Sequence, residues 1–386
     1  MCILLERGEF MTRATIIPFG PYHYALEEPI MFKLKVLGEK IVDVDIKIGH
    51  AHRGIEYLME KKRFEDCIRL AERVCAICTQ PHSECFTMSV EKIVKIDPPE
   101  RAKYIRTIVF ELNRIESHLL ILGLTAHLMG FDTVFMHLWA FRETIMQILE
   151  DITGNRVQYA ITAIGGVRRD LSEKQISRAL KSLDELEKSI NSVKEILEKD
   201  KTIRMRAREV GYLSKQDALK LNVVGPVARA SGIDFDIRKR DPYLVYNEID
   251  FDVIVLDEGD SWARTLVRLL EVLESLKILK IAFKNLPKGD IRSEYDEIPA
   301  GEVTSRVEAP RGELLYHIRT TGHITPERVK IRTPTIPNLI SAKPILVGGT
   351  LADAPVSIGS LDPCISCTNR VMIIDLKSGK SKFVRW

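Results

Sequence analysis

RVCAICTQPH, residues 73–82, sets Cys75 and Cys78 in a C-x-x-C pair, with His82 four positions after the second thiol. A matching pair arrives near the end of the chain in LDPCISCTNR, residues 361–370, where Cys364 and Cys367 repeat the spacing. A C-x-x-C turn brings two sulfurs near enough to share one metal, and thiolates are the donors that soft metals select. A zinc ribbon gathers its cysteines within a short stretch because it is a local staple. Here most of the chain lies between the pairs, so a joint site has to be assembled by the complete fold. Two plainer readings stand beside it, structural zinc and independent redox pairs. His82 reads either as a metal ligand or thiolate partner, or as a packing histidine. Cys67 and Cys85 read as small buried hydrophobes.

The chain has 386 residues, 45% hydrophobic and 29% charged, which is the composition of a globular protein. A formal charge of +3, with no long basic run and no aromatic-studded basic segment, argues against a nucleic-acid partner. No apolar run reaches the roughly 18 residues that a membrane-spanning helix needs. LLILGLTA, residues 119–126, lies between Ser117–His118 and His127 and reads as a buried helix. The opening MCILLERGEFMTR lacks a basic leader and carries Glu6 and Glu9, against a secretory signal. Two C-x-x-C pairs with scattered Cys2, Cys67 and Cys85 fit a reducing compartment rather than a secreted disulfide scaffold. If the protein works at a membrane, other subunits must hold it there.

ATIIPFG, PIMFKLKVLG and KIVDVDIKIG read as three strands within the first fifty residues, with the loop GPYHYALEEP between the first two. From about Ala51 to Leu197 the pattern is mostly helical. Pro99 marks a helix start, followed by Ile105, Ile108, Leu112, Ile115 and Leu119 at spacings of three and four. LVRLLEVLESLKILKIAF repeats that rhythm. GVRRD and GPVARASGIDFDIRKRDPYLVY read as functional loops. ELLYHIRT and KPILVGG read as strands, and the tail VMIIDLKSGKSKFVRW as a hairpin around Ser378–Gly379. The expected fold is α+β, a long-helix bundle core with β-containing lobes at both ends. Residues 1–50 form the N-terminal β lobe, 51–290 the helical core with inserted loops, and 291–386 the C-terminal lobe with the second cysteine pair and the terminal hairpin.

RVCAIC and DPCISCTNR resemble the two signatures of nickel–iron hydrogenase large subunits. PFGPYHYALEEP, HRGIEYLMEKK, GNRVQYAITAIGGVRRD, VVGPVARASGIDFDIRKRDPY and EAPRGELLYHI extend the resemblance along nearly the whole chain. It is to the membrane-bound, energy-converting branch (group 4), whose relatives include the 49-kDa subunit of respiratory complex I. The resemblance implies that the active site is buried where the two cysteine loops meet. Cys75, Cys78, Cys364 and Cys367 match the nickel–iron ligands, with Cys78 and Cys367 matching the sulfurs that bridge both metals. Arg311 matches an arginine lying over the iron's cyanide ligands, where an always-charged fork suits an anionic diatomic. Glu28 matches a carboxylate at the entrance of the proton route. Glu27 stands where complex I carries a quinone-binding histidine, which argues against a quinone headgroup site. The plainer readings are a solvated acidic turn for Glu27 and Glu28 and a structural salt bridge for Arg311. Arg168, Arg169 and Arg229 read as bracing loops or meeting a partner.

Two departures bear on function. Ala76 replaces the glycine usual between the first cysteines. In related hydrogenases a C-terminal extension is removed after metal insertion, here expected after Arg370, yet the sequence continues to Trp386. A retained tail matches the sister type in this branch, the membrane-bound sulfane sulfur reductase of sulfur-respiring archaea. The leading expectation is therefore the large subunit of a ferredoxin-driven, ion-pumping membrane complex that reduces polysulfide with an altered or metal-free pocket, so that this chain need hold no cofactor. The alternatives are a hydrogen-evolving hydrogenase with a nickel–iron centre, and a non-catalytic coupling subunit. The resemblance implies a partner small subunit bearing [4Fe-4S] clusters, ferredoxin as electron donor, antiporter-like membrane subunits, and a peripheral place on the cytoplasmic face of the cell membrane.

Overall fold

The computed structural model describes residues 14–26 and 28–368, together with the backbone of two short strands near the C-terminus. Cys2, Glu27 and the expected cleavage point after Arg370 lie outside the described residues. Strands β1 (Thr15–Phe19), β2 (Met31–Leu37) and β3 (Lys40–Lys47) form an antiparallel meander in the order β1-β2-β3. In β2 the alternation buries Phe32, Leu34 and Val36 while the intervening Lys33 and Lys35 face solvent, so one side of the sheet is committed to a core.

Helices α1 (Ile55–Met59), α2 (Phe64–Glu72) and α3 (Thr79–Val94) lead to the long α4 (Glu100–Leu128) and α5 (Asp132–Thr153). A small hairpin, β4 (Thr162–Ala163) and β5 (Gly166–Val167), precedes α6 (Glu173–Lys199). Four short helices follow, α7 (Lys201–Ala207), α8 (Lys215–Lys220), α9 (Pro226–Arg229) and α10 (Ile237–Arg240), and then α11 (Ser261–Lys284). A second antiparallel sheet runs β6 (Ala300–Ala309), β7 (Gly312–Thr321) and β8 (Arg328–Arg332). The remainder is α12 (Thr335–Ile340), α13 (Ala342–Leu346), α14 (Ala354–Leu361), and the strands β9 (Met372–Ile374) and β10 (Ser381–Phe383). The last two pair antiparallel, as the tail sequence suggested, while the turn between them lies outside the described residues.

Pro99 is the residue before the first turn of α4, where a missing N–H costs nothing. The apolar ladder Ile105–Leu119 anticipated one buried face. In the fold α4 is buried on nearly every side, between α5, α11 and α14. Its polar residues therefore point into the protein and must find partners there. Glu111 accepts from Tyr246 Oη at 2.5 Å and Ser275 Oγ at 2.6 Å, and it pairs with Arg114 and Arg238 at 3.2 Å each. Arg238 also pairs with Asp236, and Arg229 bridges Glu271 and Glu308. GPVARASGIDFDIRKRDPY, expected as a functional loop, supplies this internal ionic brace.

KPILVGG is not a strand. Ala342–Leu346 is helical, and only the residues after it bond to the sheet, through Gly348 N to Ile41 O at 2.8 Å and Ile41 N to Gly349 O at 2.9 Å. A short apolar run carries no period that separates helix from strand, and Pro344 falls within the first turn, where proline is tolerated. The N-terminal sheet does not have a core to itself. Phe32, Leu34, Ile41 and Val44 pack with Ile345, Leu346, Ile358 and Ile365, so the N-terminal sheet and the second cysteine segment share one hydrophobic cluster.

Replacing Glu111 by alanine leaves Arg114 and Arg238 buried without their common carboxylate. Breaking a buried pair costs roughly 3–5 kcal/mol. The unfolding midpoint of the Glu111→Ala chain should fall accordingly, and an unchanged midpoint would show that the brace adds nothing.

Candidate active site at the two cysteine loops

The first cysteine loop is the turn between α2 and α3, and Cys78 is the residue that begins α3. Cys75 Sγ accepts the backbone N–H groups of Ile77 at 3.3 Å and Cys78 at 3.1 Å, so the turn itself solvates the sulfur. From α4, Asn113 pins the loop by donating to Ile77 O at 2.7 Å and accepting from Gln80 N at 3.2 Å. Ala76 is exposed and is absent from the residues with left-handed backbone, so the position does not require the usual glycine's conformational freedom.

The second loop follows α14. Asp362 ends that helix in the left-handed region, φ 57°, and Cys364 then opens a single 3-10 turn over Ile365–Cys367. Thr335 and Thr333 hold its ends, through Cys364 N to Thr335 Oγ1 at 3.3 Å and Thr333 Oγ1 to Cys367 O at 2.8 Å.

The fold brings all four thiols into one buried cluster. Cys75 Sγ lies 3.2 Å from Cys364 Sγ, and the sulfurs of Cys75, Cys364 and Cys367 lie within 4.8 Å of one another. Hydrogen bonds with Cys364, Cys367 and Cys78 hold the Cys75 thiol well below its usual range, and the Arg311 charge adds to them. Bonds to Cys364, Cys75 and Cys78, together with burial, push Cys367 well up.

Arg311 reaches this cluster from the tip of the β6–β7 hairpin. Ala309 pairs with Gly312, which leaves Pro310 and Arg311 as a two-residue turn. Arg311 Nη1 donates to Cys78 Sγ at 3.1 Å and to Ser117 Oγ at 3.3 Å. Its Nε donates to Asp362 O at 2.9 Å, and Nη2 pairs with Asp362 Oδ1 at 2.5 Å. Two glycines let the tip enter so deep. A Cβ on Gly225, φ 67°, would stand 2.4 Å from Arg311 O, and one on Gly312 would stand 2.7 Å from Gly225 N. Asn338 closes this crossing by donating to Val224 O at 3.2 Å and Arg311 O at 3.3 Å while accepting from Val224 N at 2.9 Å.

Positive charge exceeds negative in this corner. Arg268 stands 3.6 Å from Asp362, and the neighbouring Arg264 contacts no carboxylate among the described residues. Burial pushes Arg264 down to about 9, and the neighbouring Arg268 charge pushes in the same direction. Of the four thiols, Cys75 is the one held low and so suited to offset this excess, while Cys78, Cys364 and Cys367 are pushed up by their neighbours and burial. A four-sulfur donor set in positive surroundings fits a thiolate-held transition-metal centre such as nickel–iron.

His82 lies beside the cluster. Its Nδ1 is 2.8 Å from Tyr316 Oη and its Nε2 is 3.8 Å from Cys367 Sγ. Burial, against the Cys75 thiolate, holds it down to about 4, so it is neutral near pH 7. Glu28, in the β1–β2 loop, accepts the N–H of Ser366 at 2.8 Å and also its hydroxyl. It lines a cleft of about 200 Å³ whose walls include Leu26, Ile30, Ile121, Leu128, Pro363 and Ile365, next to the second loop. Cys67 and Cys85 are buried apart from the cluster and donate to Met59 O at 3.2 Å and Ser305 O at 3.3 Å, the environment of small hydrophobes. Arg229 and Arg169 brace the interior and the end of α5, away from the sulfurs. Asp362, Ser117, Tyr316 and Asn338 were not singled out in the sequence. Asp362 and Tyr316 stood in quoted motifs and Ser117 beside a quoted helix, without a role, and nothing local marks Asn338.

The family described as the 49-kDa subunit of respiratory-chain NADH dehydrogenase matches residues 129–298 and 293–370, and nickel-dependent hydrogenase matches residues 53–136. The chain is 41% identical to a carbon monoxide-induced hydrogenase of Rhodospirillum rubrum, over 92% of this chain and 99% of that one. It is 40% identical to the alpha subunit of the membrane-bound hydrogenase of Pyrococcus furiosus, over 94% and 89%. It is 39% identical to one of the subunits of the F(420)H(2) dehydrogenase of Methanosarcina mazei, over 95% and 99%. Among solved structures it matches a chain of the membrane-bound sulfane sulfur reductase, an archaeal respiratory membrane complex. There the TM-score is 0.89 and the identity 32%, over 94% of this chain and 100% of the other.

The crossing at Gly225 is testable without assuming any chemistry. In Gly225→Ala the methyl group and the left-handed backbone together should cost about 1–3 kcal/mol. They should also move the Arg311 tip away from Cys78. The expected signs are a lower unfolding midpoint and faster alkylation of Cys78. Wild-type alkylation kinetics would show that the tip does not depend on this glycine.

Proposed function

The chain belongs to the family that unites nickel-dependent hydrogenase large subunits with the 49-kDa subunit of respiratory NADH dehydrogenase. From that premise we propose that it is the large subunit of a hydrogen-evolving, energy-converting membrane hydrogenase. The observation that carries this reading is the complete set of four buried thiols, gathered from two distant loops beneath Arg311. Cys75, Cys78, Cys364 and Cys367 would hold a nickel–iron centre, which when bound supplies the redox chemistry of proton reduction. The chain's own groups do the rest. Burial keeps bulk water off the sulfurs, and Arg311 places fixed positive charge over Cys78, where negative charge has to be tolerated. Glu28, bonded to Ser366 at the cleft, is positioned to pass protons between the cleft and the second cysteine loop. His82 is neutral and hydrogen-bonded to Tyr316, so it orients beside Cys367 rather than adding charge.

No described helix is long and apolar enough to cross a membrane. Attachment would therefore come through partners: a small subunit carrying [4Fe-4S] clusters that receives electrons from ferredoxin, and antiporter-like membrane subunits on the cytoplasmic face. Two relatives named as hydrogenases, at 41% and 40% identity, support the choice of reaction.

The match to the sulfane sulfur reductase along its whole chain favours a second reading, in which the same thiols take polysulfide and the Cys75 thiolate is the attacking group. The precedence given to that reading by the sequence rested on the tail from Arg370 to Trp386, of which the described part is the paired strands β9 and β10. The thiol cluster is described, and it is complete.

Metal content and infrared spectra of the purified complex discriminate the two. Nickel and iron with bands of metal-bound cyanide and carbon monoxide, lost in Cys364→Ser, are expected. An active complex without nickel or bands, consuming polysulfide, would overturn the hydrogenase reading. Activity that survives Cys75→Ser would leave only a coupling role.

A further inference from the structure

Arg53 stands just before Gly54, whose left-handed backbone, φ 66°, turns the chain into α1. The arginine is exposed, yet its guanidinium is committed to main-chain oxygens of both cysteine loops. Nη1 donates to Arg73 O at 2.8 Å and Nη2 to Val74 O at 2.7 Å, the two residues that lead into Cys75. Nη2 also donates to Ser366 O at 3.2 Å, between Cys364 and Cys367, and Nε turns back to Ala51 O at 3.3 Å. The Ser366 N–H and hydroxyl are held by Glu28. The N–H, hydroxyl and carbonyl of Ser366 are thus all gripped from the N-terminal third of the chain, and of Glu28 and Arg53 it is Arg53 that holds both loops at once.

We propose that Arg53 is a positioning residue that sets the separation of the Cys75–Cys78 loop from the Cys364–Cys367 loop, with Glu28 fixing the second loop from its other side. The inference rests on the reading of the four thiols as one donor set. It does not depend on whether protons or polysulfide are reduced. A planar fork suits the position, because Nη1 takes Arg73 O while Nη2 takes Val74 O and Ser366 O together, so three carbonyls are met from two adjacent nitrogens. Lysine has one nitrogen on a flexible stem, which reaches the oxygens met by Nη2 but not Arg73 O at the same time. Outer groups that orient metal ligands typically govern about 10–100-fold in metal affinity. The position is exposed, so its substitution leaves the hydrophobic core intact.

The test uses the full-length chain prepared without metal and titrated with Co(II), whose thiolate charge-transfer and d–d absorption reports how many sulfurs bind one ion. The wild-type chain should give a four-thiolate spectrum. Arg53→Ala should bind roughly 10–100-fold more weakly and give the spectrum of fewer thiolates, with its unfolding midpoint little changed. Arg53→Lys should recover part of the affinity, and it serves as the reporter if Arg53→Ala does not fold. Wild-type affinity and spectrum in Arg53→Ala, or in Arg53→Lys if only that variant folds, would overturn the proposal. Absence of a four-thiolate spectrum in the wild-type chain would instead overturn the joint donor set, and the clamp with it.

Discussion

The guanidinium of Arg311 touches both halves of the site: the Cys78 sulfur of the first cysteine loop, and the carboxylate and carbonyl of Asp362 two residues before Cys364. A charged group this deep is tolerable only where its donors are satisfied by anionic or strongly polar acceptors. The hairpin tip, the end of α14 and the start of α3 are therefore mutually required. Removing any one strands a buried charge. The crossing of Gly225 over Arg311, locked by Asn338, supplies the backbone rigidity that this contact presumes.

The ionic interior extends the same logic. α4 is long and buried all round, so its polar residues form a brace of alternating charge with α9, α10 and β6. Near the thiols the alternation stops. Arg268 and Arg311 share Asp362 as their ion-pair partner, Arg264 beside them has none among the described residues, and the imbalance is complementary to thiolates. Placing fixed charge where it cannot rearrange is the condition for stabilising a changing charge in a dry site.

The N-terminal sheet is easily taken for a separate lobe, because its strands are contiguous in sequence. Packing contradicts independence. Its inner face shares a hydrophobic cluster with α13, α14 and Ile365, and its loop carries Glu28 onto Ser366. Arg53 adds a polar tie at the edge of that cluster. The second cysteine loop is thus held from one side by the N-terminal segment and from the other by the Arg311 hairpin.

Much of this was legible in the residues alone. The alternation in β2, the ladder in α4, the paired C-x-x-C spacing and the motif string along the chain are local patterns, and local patterns survive in a one-dimensional text. The misjudged KPILVGG segment is too short to carry a period. The overlooked Asn338 and Ser117 bear no local mark, and Tyr316 stood inside a quoted motif without a role, because each matters through a contact far away in sequence. That the four cysteines form one cluster, that His82 is buried and bonded to Tyr316, and that Ala76 faces outward were settled by the tertiary structure. Those facts depend on which loops meet and which surfaces are buried, and distance and burial are properties of the packed chain rather than of any stretch of it.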